Sequence, residues 1–387
     1  MNLDAVAILE RLVGFDTVSA KSNLAMINWI ADYLDGLGIK STLIRNEDGA
    51  KANLFATIGP DDRGGVILSG HTDVVPVLGQ NWDSDPFRLD ARGDRFYGRG
   101  TADMKGFIAL TLALAPAARA QALAIPLHLA FSYDEEVGCL GVPTLIRALP
   151  DGDSRPRLAI IGEPSEMRVA NAHKGIQFLR TRVTGREGHS SAPEHGVNAI
   201  AAAAEIIAEI GRIATDCRLE ARPDSRFDPP YTSFNIGRIK GGAAVNIVAR
   251  ECVFEWEFRA IPGENEAALR GRVDQFIECD LLPRMRATHP DTGVVTETAA
   301  LVPPLIPDPA SPAEALVRGL TGANETTTIA FATEAGLYQR AGVPAVICGP
   351  GSIDVAHKPN EYITHAQLVA GGDFLGRLLE WARKGGH

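Results

Sequence analysis

Three apolar runs, each ending at a metal-seeking side chain, constrain this chain more than any other feature. Val66–Gly70 leads to His71, Leu127–Ser132 leads to Glu135 and Glu136, and Leu158–Gly162 leads to Glu163. Continuous apolar runs of this length are the pattern of strands buried on both faces. The expected fold is therefore α/β, with a mixed, mostly parallel sheet covered by helices. Open α/β sheets carry their sites at the carboxyl ends of the strands, which places all four side chains on one rim.

Around those runs, helical spacing predicts helices at Leu3–Val13, Asn23–Leu37, Lys105–Leu123 and His365–Arg383. Short strands are expected at Ser41–Arg45, Leu54–Ile58, Thr328–Thr333 and Ala345–Cys348. From about Gly175 the pattern changes. Strands at Ile176–Val183, Tyr231–Ile239, Cys252–Arg259 and Val294–Thr298, with helices at Asn198–Arg212 and Glu266–Arg286, give a β-α-β-β-α-β order. That is the split-βαβ, ferredoxin-like unit. It contains none of the candidate ligands, so residues 175–298 are expected to be a domain inserted into a catalytic domain of residues 1–174 and 299–387. A length of 387 residues suits about two domains.

Composition narrows the partners. A formal charge of −10 without a Lys/Arg cluster argues against nucleic acid and anionic membranes. Five cysteines, widely spaced and without a Cys-x-x-Cys pair, read as reduced core residues in a cytoplasmic protein. The N-terminus lacks a basic leader, and the apolar stretch near Ile108–Ala118 is too short to span a bilayer and contains Pro116. A soluble protein is expected.

The chemistry is in the side chains at the rim. The set His71, Asp103, Glu136, Glu163 and His357 joins two imidazoles to several carboxylates, which suits a pair of zinc-class ions. Asp73, two residues after His71 on the same strand face, is placed to orient that imidazole. Glu135 and Glu136 are adjacent acids at a strand exit and project differently, so one can bind metal while the other serves as general base. Out of context, the Glu135–Glu136 pair reads better as a solvated loop. Asp103 could be an ordinary helix cap before Lys105. Glu163 is harder to dismiss, because burying it against an apolar run is costly without a cation. His128 reads as a core residue, and His195, His289, His365 and His387 as surface ones.

Ser69-Gly-His-Thr-Asp-Val-Val-Pro, Tyr97-Gly-Arg-Gly-Thr-Ala-Asp-Met-Lys-Gly, Asp134-Glu-Glu-Val-Gly and Gly162-Glu-Pro-Ser resemble the acetylornithine deacetylase/succinyl-diaminopimelate desuccinylase family of di-zinc amidohydrolases. The segments Ala172–Gly175, Gly185–Ser191, Thr333–Leu337 and Cys348–Ile353 draw it toward the deacetylase branch. The resemblance implies a zinc-exopeptidase-like fold whose inserted domain acts in lid closure and dimerisation. It implies two zinc ions per subunit, replaceable by cobalt. His71 and Glu163 would hold one ion and Glu136 and His357 the other, with Asp103 bridging. Glu135 would be the base, Asp73 the orienting acid and His189 an oxyanion donor, often acting across a homodimer. Asn246, Arg259 and Gly351 would bind a small N-acyl amino acid. The implied reaction is deacetylation of N2-acetyl-L-ornithine, with a desuccinylase, aminoacylase or carboxypeptidase as the alternative. A catalytically silent binding module is the alternative of another class. One departure is visible: Asn360 stands where relatives commonly carry Asp, close to His357.

Overall fold

The computed structural model describes residues 4–386, and the described chain divides into two compact units. The first takes in the chain through Ala172, Leu305–Thr328 and the chain from Thr333 onward; the second is His173–Pro304 with Ile329–Ala332.

The first unit is built on an eight-stranded sheet. Its strand order is Ser41–Arg45, Ala52–Ile58, Leu127–Ser132, Val66–His71, Leu158–Pro164, Ala345–Gly349, Ala170–His173, Thr327–Ile329. The centre is parallel: Val66–His71 pairs in parallel with Leu127–Ser132 and with Leu158–Pro164, and the latter with Ala345–Gly349. Ala52–Ile58 is antiparallel to both Ser41–Arg45 and Leu127–Ser132, and Ala170–His173 is antiparallel to Ala345–Gly349. Every residue of the three central ligand-bearing strands is buried, which is why their sequences are apolar without alternation. Helices Ala5–Val13 and His365–Arg383 pack against Gly106–Arg119, and Leu24–Gly36 against Ala52–Ile58. Ile8, Leu12, Ile108, Leu112, Phe374 and Leu378 are among the side chains this buries. Each contributes about 1.5–3 kcal/mol relative to exposure.

Helix ends follow local chemistry. Asp4 accepts from Ala7 N at 2.7 Å and Thr364 from Gln367 N at 3.2 Å, each capping an N-terminus. The expected Lys105–Leu123 helix is shorter than its spacing suggested, running Gly106–Arg119 after an irregular turn over Thr101–Lys105. Pro116 is accommodated inside it, and the Leu112 carbonyl that its missing N–H leaves free faces the Tyr33 hydroxyl at 3.4 Å. Leu3 of the first expected helix lies outside the described residues, as does His387. A small sheet of Asp90–Arg92, Arg95–Tyr97 and Tyr362–Thr364 was not anticipated, and the expected Thr328–Thr333 strand reduces to Thr327–Ile329.

The second unit is a four-stranded antiparallel sheet in the order Ser233–Gly241, Glu251–Arg259, Ile176–Thr184, Gly293–Val302. With helix Ala199–Leu219 after the first strand and a helical segment from Glu266 before the last, this is the ferredoxin-like order. Cys252, Phe254, Trp256 and Phe258 alternate inward to form its core with Ile206, Ile210 and Val273. The expected Glu266–Arg286 helix is one continuous helical run in which Glu266–Phe276 and Leu282–Thr288 are joined by a wider turn at Ile277–Leu281. Pro283, which has no N–H to donate, follows that turn.

The reading of the cysteines as core residues needs one correction. Cys139, Cys217, Cys252 and Cys348 are buried thiols, but Cys279 is exposed, because it lies on the outward side of that wider turn. Among the described residues, no helix is long and apolar enough to cross a membrane.

Candidate metal centre

His71 ends its strand almost fully buried. Its Nδ1 lies 3.0 Å from the Asp73 carbonyl and 3.7 Å from the Asp73 carboxylate. With Nδ1 on that carbonyl, Nε2 is the nitrogen that faces Asp103 Oδ1 at 2.9 Å and Glu163 Oε1 at 3.7 Å. Asp103 spans two imidazoles, because its Oδ2 lies 3.2 Å from His357 Nε2. His357 Nε2 is also 3.0 Å from Glu136 Oε2. One ligand atom each from His71, Asp103 and Glu136 falls within a 4.8 Å cluster, as does one each from His71, Glu135 and Glu163. The five candidate ligands and Glu135 therefore form one group.

The charges in this group are unbalanced. Burial raises the carboxyl of Glu163 well above its ordinary range, and Asp103 and Glu135 reinforce the shift. Glu135 is likewise pushed up by burial, with Glu136 and Asp103 adding repulsion. Burial and Asp103 bring Glu136 to about 7. Asp103 alone moves down: burial opposes its charge, but hydrogen bonds from His357 and His71 outweigh it. His357 is raised to about 10 by Asp103 and Glu136. Burial would lower His71, yet Asp103, Glu135 and Glu163 lift it well above its ordinary value. Glu163 Oε1 is buried with no hydrogen-bond partner. A buried carboxylate oxygen without a hydrogen-bond partner, beside an imidazole nitrogen, is a place that a cation would satisfy, and the N/O donor set suits zinc-class ions.

The supports show how the fold holds this cluster. The Asp73 carboxylate does more than face the imidazole. It accepts from Glu135 N at 3.0 Å, Glu136 N at 3.3 Å and Ser19 Oγ at 2.6 Å, fixing the loop that carries both glutamates. Cys139 Sγ lies 3.4 Å from Glu135 Oε1. Lys51 pairs with Asp134 beside it. Asp103 is not a helix cap: Lys105 holds that position, the Asp103 carboxylate faces the two imidazoles, and its N–H donates to Glu361 Oε1 at 3.0 Å. Glu361 also accepts from Ala102 N, Gly100 N and the buried Arg99 guanidinium. Sequence reading missed Glu361 as a functional residue; its one signal was an acid four residues after His357. Asn360, the departure noted above, bonds Asp83 through both ends of its amide, while Gln80 Nε2 donates to the His357 carbonyl at 2.8 Å.

Gly351 has φ +91, and a Cβ there would meet Ala102 at 3.1 Å. Its N–H donates to Gln367 Oε1, and that of Gly349 to Ser165 Oγ, so both amides are already used. Three further candidates belong to the second unit. His189 is exposed, and its Nδ1 accepts from Ser191 N at 3.1 Å, which leaves the ring proton on Nε2. Asn246 is exposed, and its carbonyl accepts from Ser190 N. Arg259 is half-buried, with Nε 3.0 Å from Glu257. Of the histidines set aside, His128 is buried, bonded to Thr57 and stacked on Phe55, and burial lowers it to about 4. His195 and His365 are exposed, whereas His289 is only half-exposed and its Nδ1 is buried.

Residues 67–381 match the model of Peptidase family M20/M25/M40. The chain belongs to this family. An acetylornithine deacetylase of Pasteurella multocida is 34% identical over 93% of this chain and 91% of its own length. Among solved structures, an M20 family metallo-carboxypeptidase from Sulfolobus solfataricus superposes with a TM-score of 0.76 at 16% identity, covering 99% of this chain and 100% of that one. A dinuclear metal binding peptidase of the same family from Bacillus subtilis gives 0.62 at 14%, covering 97% and 96%. Family, relatives and donor set together make this protein a metal-dependent hydrolase acting on an amide bond.

Proposed function

We propose that this protein is a zinc-dependent acetylornithine deacetylase that converts N2-acetyl-L-ornithine and water to L-ornithine and acetate. In this reading it acts in the cytoplasm, as a homodimer through the inserted domain, in arginine biosynthesis. The observation that carries the reading is the cluster of buried His71, Asp103 and Glu163 with half-buried Glu135 and Glu136 and exposed His357, in a chain 34% identical to a deacetylase of that name.

His71, Asp103 and Glu163 would hold one divalent ion, and Asp103, Glu136 and His357 the other. Such ions lower the pKa of water from about 15.7 to roughly 7 and polarise a carbonyl. Glu135 supplies the proton chemistry. Its carboxyl, raised by burial, suits a group that takes a proton from the attacking water and returns it to the amine as the C–N bond breaks. Cys139 and the Asp73-tied backbone limit the rotation of that carboxylate. With its proton on Nε2, His189 can donate to the oxygen that gains charge when the carbonyl is attacked. Arg259 would pair with the α-carboxylate, and Asn246 would add a donor. Gly351 would contribute by lacking a side chain.

The test is a kinetic panel. kcat/KM for N2-acetyl-L-ornithine should exceed that for N-succinyl-L,L-diaminopimelate by at least about tenfold, or about 1.4 kcal/mol of differential transition-state binding. A preference for the succinyl substrate, or for acetylated apolar amino acids, would overturn the substrate and leave the amide hydrolase standing.

A further inference from the structure

A further buried acid, Glu334, stands near the metal centre with no part in the chemistry above. It is 1% exposed, and its carboxylate accepts hydrogen bonds from Ser69 Oγ at 2.8 Å and from Ser132 Oγ. The Tyr338 hydroxyl is 3.1 Å from Ser69 Oγ. Because the single Ser69 proton goes to Glu334, the tyrosine is the donor in that contact. All four side chains are buried. Glu334 occupies the N-cap position of helix Ala335–Arg340, yet its side chain makes no capping bond. Its hydrogen bonds go to the sheet instead.

The sheet partners matter because of where they lie. Ser69 is two residues before His71, and Ser132 three before Glu135. Their strands run parallel and in register, with Ser69 opposite Ala130 and His71 opposite Ser132. One carboxylate therefore ties the ends of the two strands that deliver His71 and the Glu135–Glu136 pair.

The charge on that carboxylate needs a counterpart. Hydroxyls satisfy its lone pairs but do not cancel its charge, and burial raises its carboxyl accordingly. Among the described residues, no Lys or Arg lies within ion-pair distance of it. His71 opposes that rise and Asp73 adds to it. A latch between strands would work equally well with a neutral amide. A buried charge retained here is compensated by positive charge close by, and the ligand cluster is where divalent ions would sit.

We propose that Glu334 is a positioning residue of the metal centre: it latches the His71 and Glu135–Glu136 strand ends through Ser69 and Ser132, and adds negative charge beside the cations without touching a ligand. This rests on the metal-centre reading, so the experiment separates the two. Zinc affinity is measured by chelator competition on full-length protein stripped of metal, alongside thermal melting of the stripped protein. Glu334→Gln is expected to weaken zinc binding by at least about tenfold, the scale at which supports behind metal ligands act. The stripped variant is expected to melt at or above the wild type, because an uncompensated buried charge is gone. A purely structural latch gives the opposite pattern, a lower melting temperature with zinc affinity unchanged, and that overturns the proposal. If both fall, Glu334→Asp decides: it keeps the charge, and failure to recover affinity overturns the proposal. Should Glu334→Gln not fold, Ser69→Ala and Ser132→Ala keep the charge and remove one donor each, and unchanged affinity in both is equally fatal. Wild-type protein that binds no zinc would instead remove the metal-centre reading. Tight binding lost in His71→Ala but kept in Glu334→Gln removes only the proposal for Glu334.

Discussion

Glu361→Gln tests how the fold holds Asp103 in place. Glu361 Oε1 accepts from Ala102 N at 2.9 Å and Asp103 N at 3.0 Å, while Oε2 accepts from Arg99 Nη1 at 2.7 Å and Gly100 N at 3.0 Å. An amide has one acceptor oxygen and one donor nitrogen. Whichever way the glutamine sits, its NH2 meets two buried donors. Each donor left unsatisfied costs about 1–3 kcal/mol, giving roughly 2–6 kcal/mol for the pair. Arg99 is 1% exposed, and removing the charged partner of a buried ion pair costs about 3–5 kcal/mol. The two routes describe the same loss and agree on about 3–5 kcal/mol, against a typical total stability of about 5–15 kcal/mol. Urea unfolding of metal-stripped wild type and variant, followed by circular dichroism, measures it. The Thr101–Lys105 turn also loses its anchor, so zinc affinity should fall as well, because Asp103 meets both imidazoles from that turn. A stability loss below about 1 kcal/mol would refute the argument, since it would mean that the two displaced donors find other acceptors.

Three other outcomes are expected. Glu135→Gln should keep the bound metal while lowering kcat at least about 10²-fold, whereas Glu136→Gln should release metal; equal metal loss in the two would reverse the assignment. His189→Ala should lower kcat about 10²–10³-fold with little change in KM, and recovered activity on mixing His189→Ala with Glu135→Gln subunits would show that the histidine serves its neighbour's site. Cation affinity should rise with pH. Glu136, at about 7, and His357, at about 10, hold protons in the metal-free protein that binding must displace, so affinity falls as pH drops through 7. Calorimetry in buffers of different ionisation enthalpy should show proton release at pH 7, and a pH-independent affinity would contradict it.

What the sequence reveals follows from burial. The strands Val66–His71, Leu127–Ser132 and Leu158–Pro164 were readable because strands covered on both faces must be apolar throughout. Of the candidate ligands, only His71 and Glu163 directly follow such runs, where burying an imidazole or a carboxylate calls for a partner. The three-residue strands of the small sheet were not readable, because three residues carry no periodicity. The irregular turn before the helix was not readable for a different reason. Spacing marks the helix start near Lys105, but not that the Asp103 carboxylate faces two imidazoles and its N–H meets Glu361, which accompanies the non-helical backbone of the preceding turn.

The supports were the least legible part, and the cause is their distance along the chain. Glu361 reaches Ala102 across 259 residues, and Glu334 reaches Ser69 across 265. No local pattern marks either acid, and each reads as a surface charge until folding buries it. His189, Asn246 and Arg259 resist reading in another way: exposed or half-buried polar residues at loops and strand ends look the same whether or not they meet a substrate. Their roles came only from the family resemblance. A ligand announces itself by contradicting its surroundings, as Glu163 does against Ala-Ile-Ile-Gly. A support contradicts nothing locally, because the charge or donors that justify its burial come from elsewhere in the fold. Unexplained buried acids are therefore the residues to examine once a structure is known, and in this chain Glu334 and Glu361 are two of them.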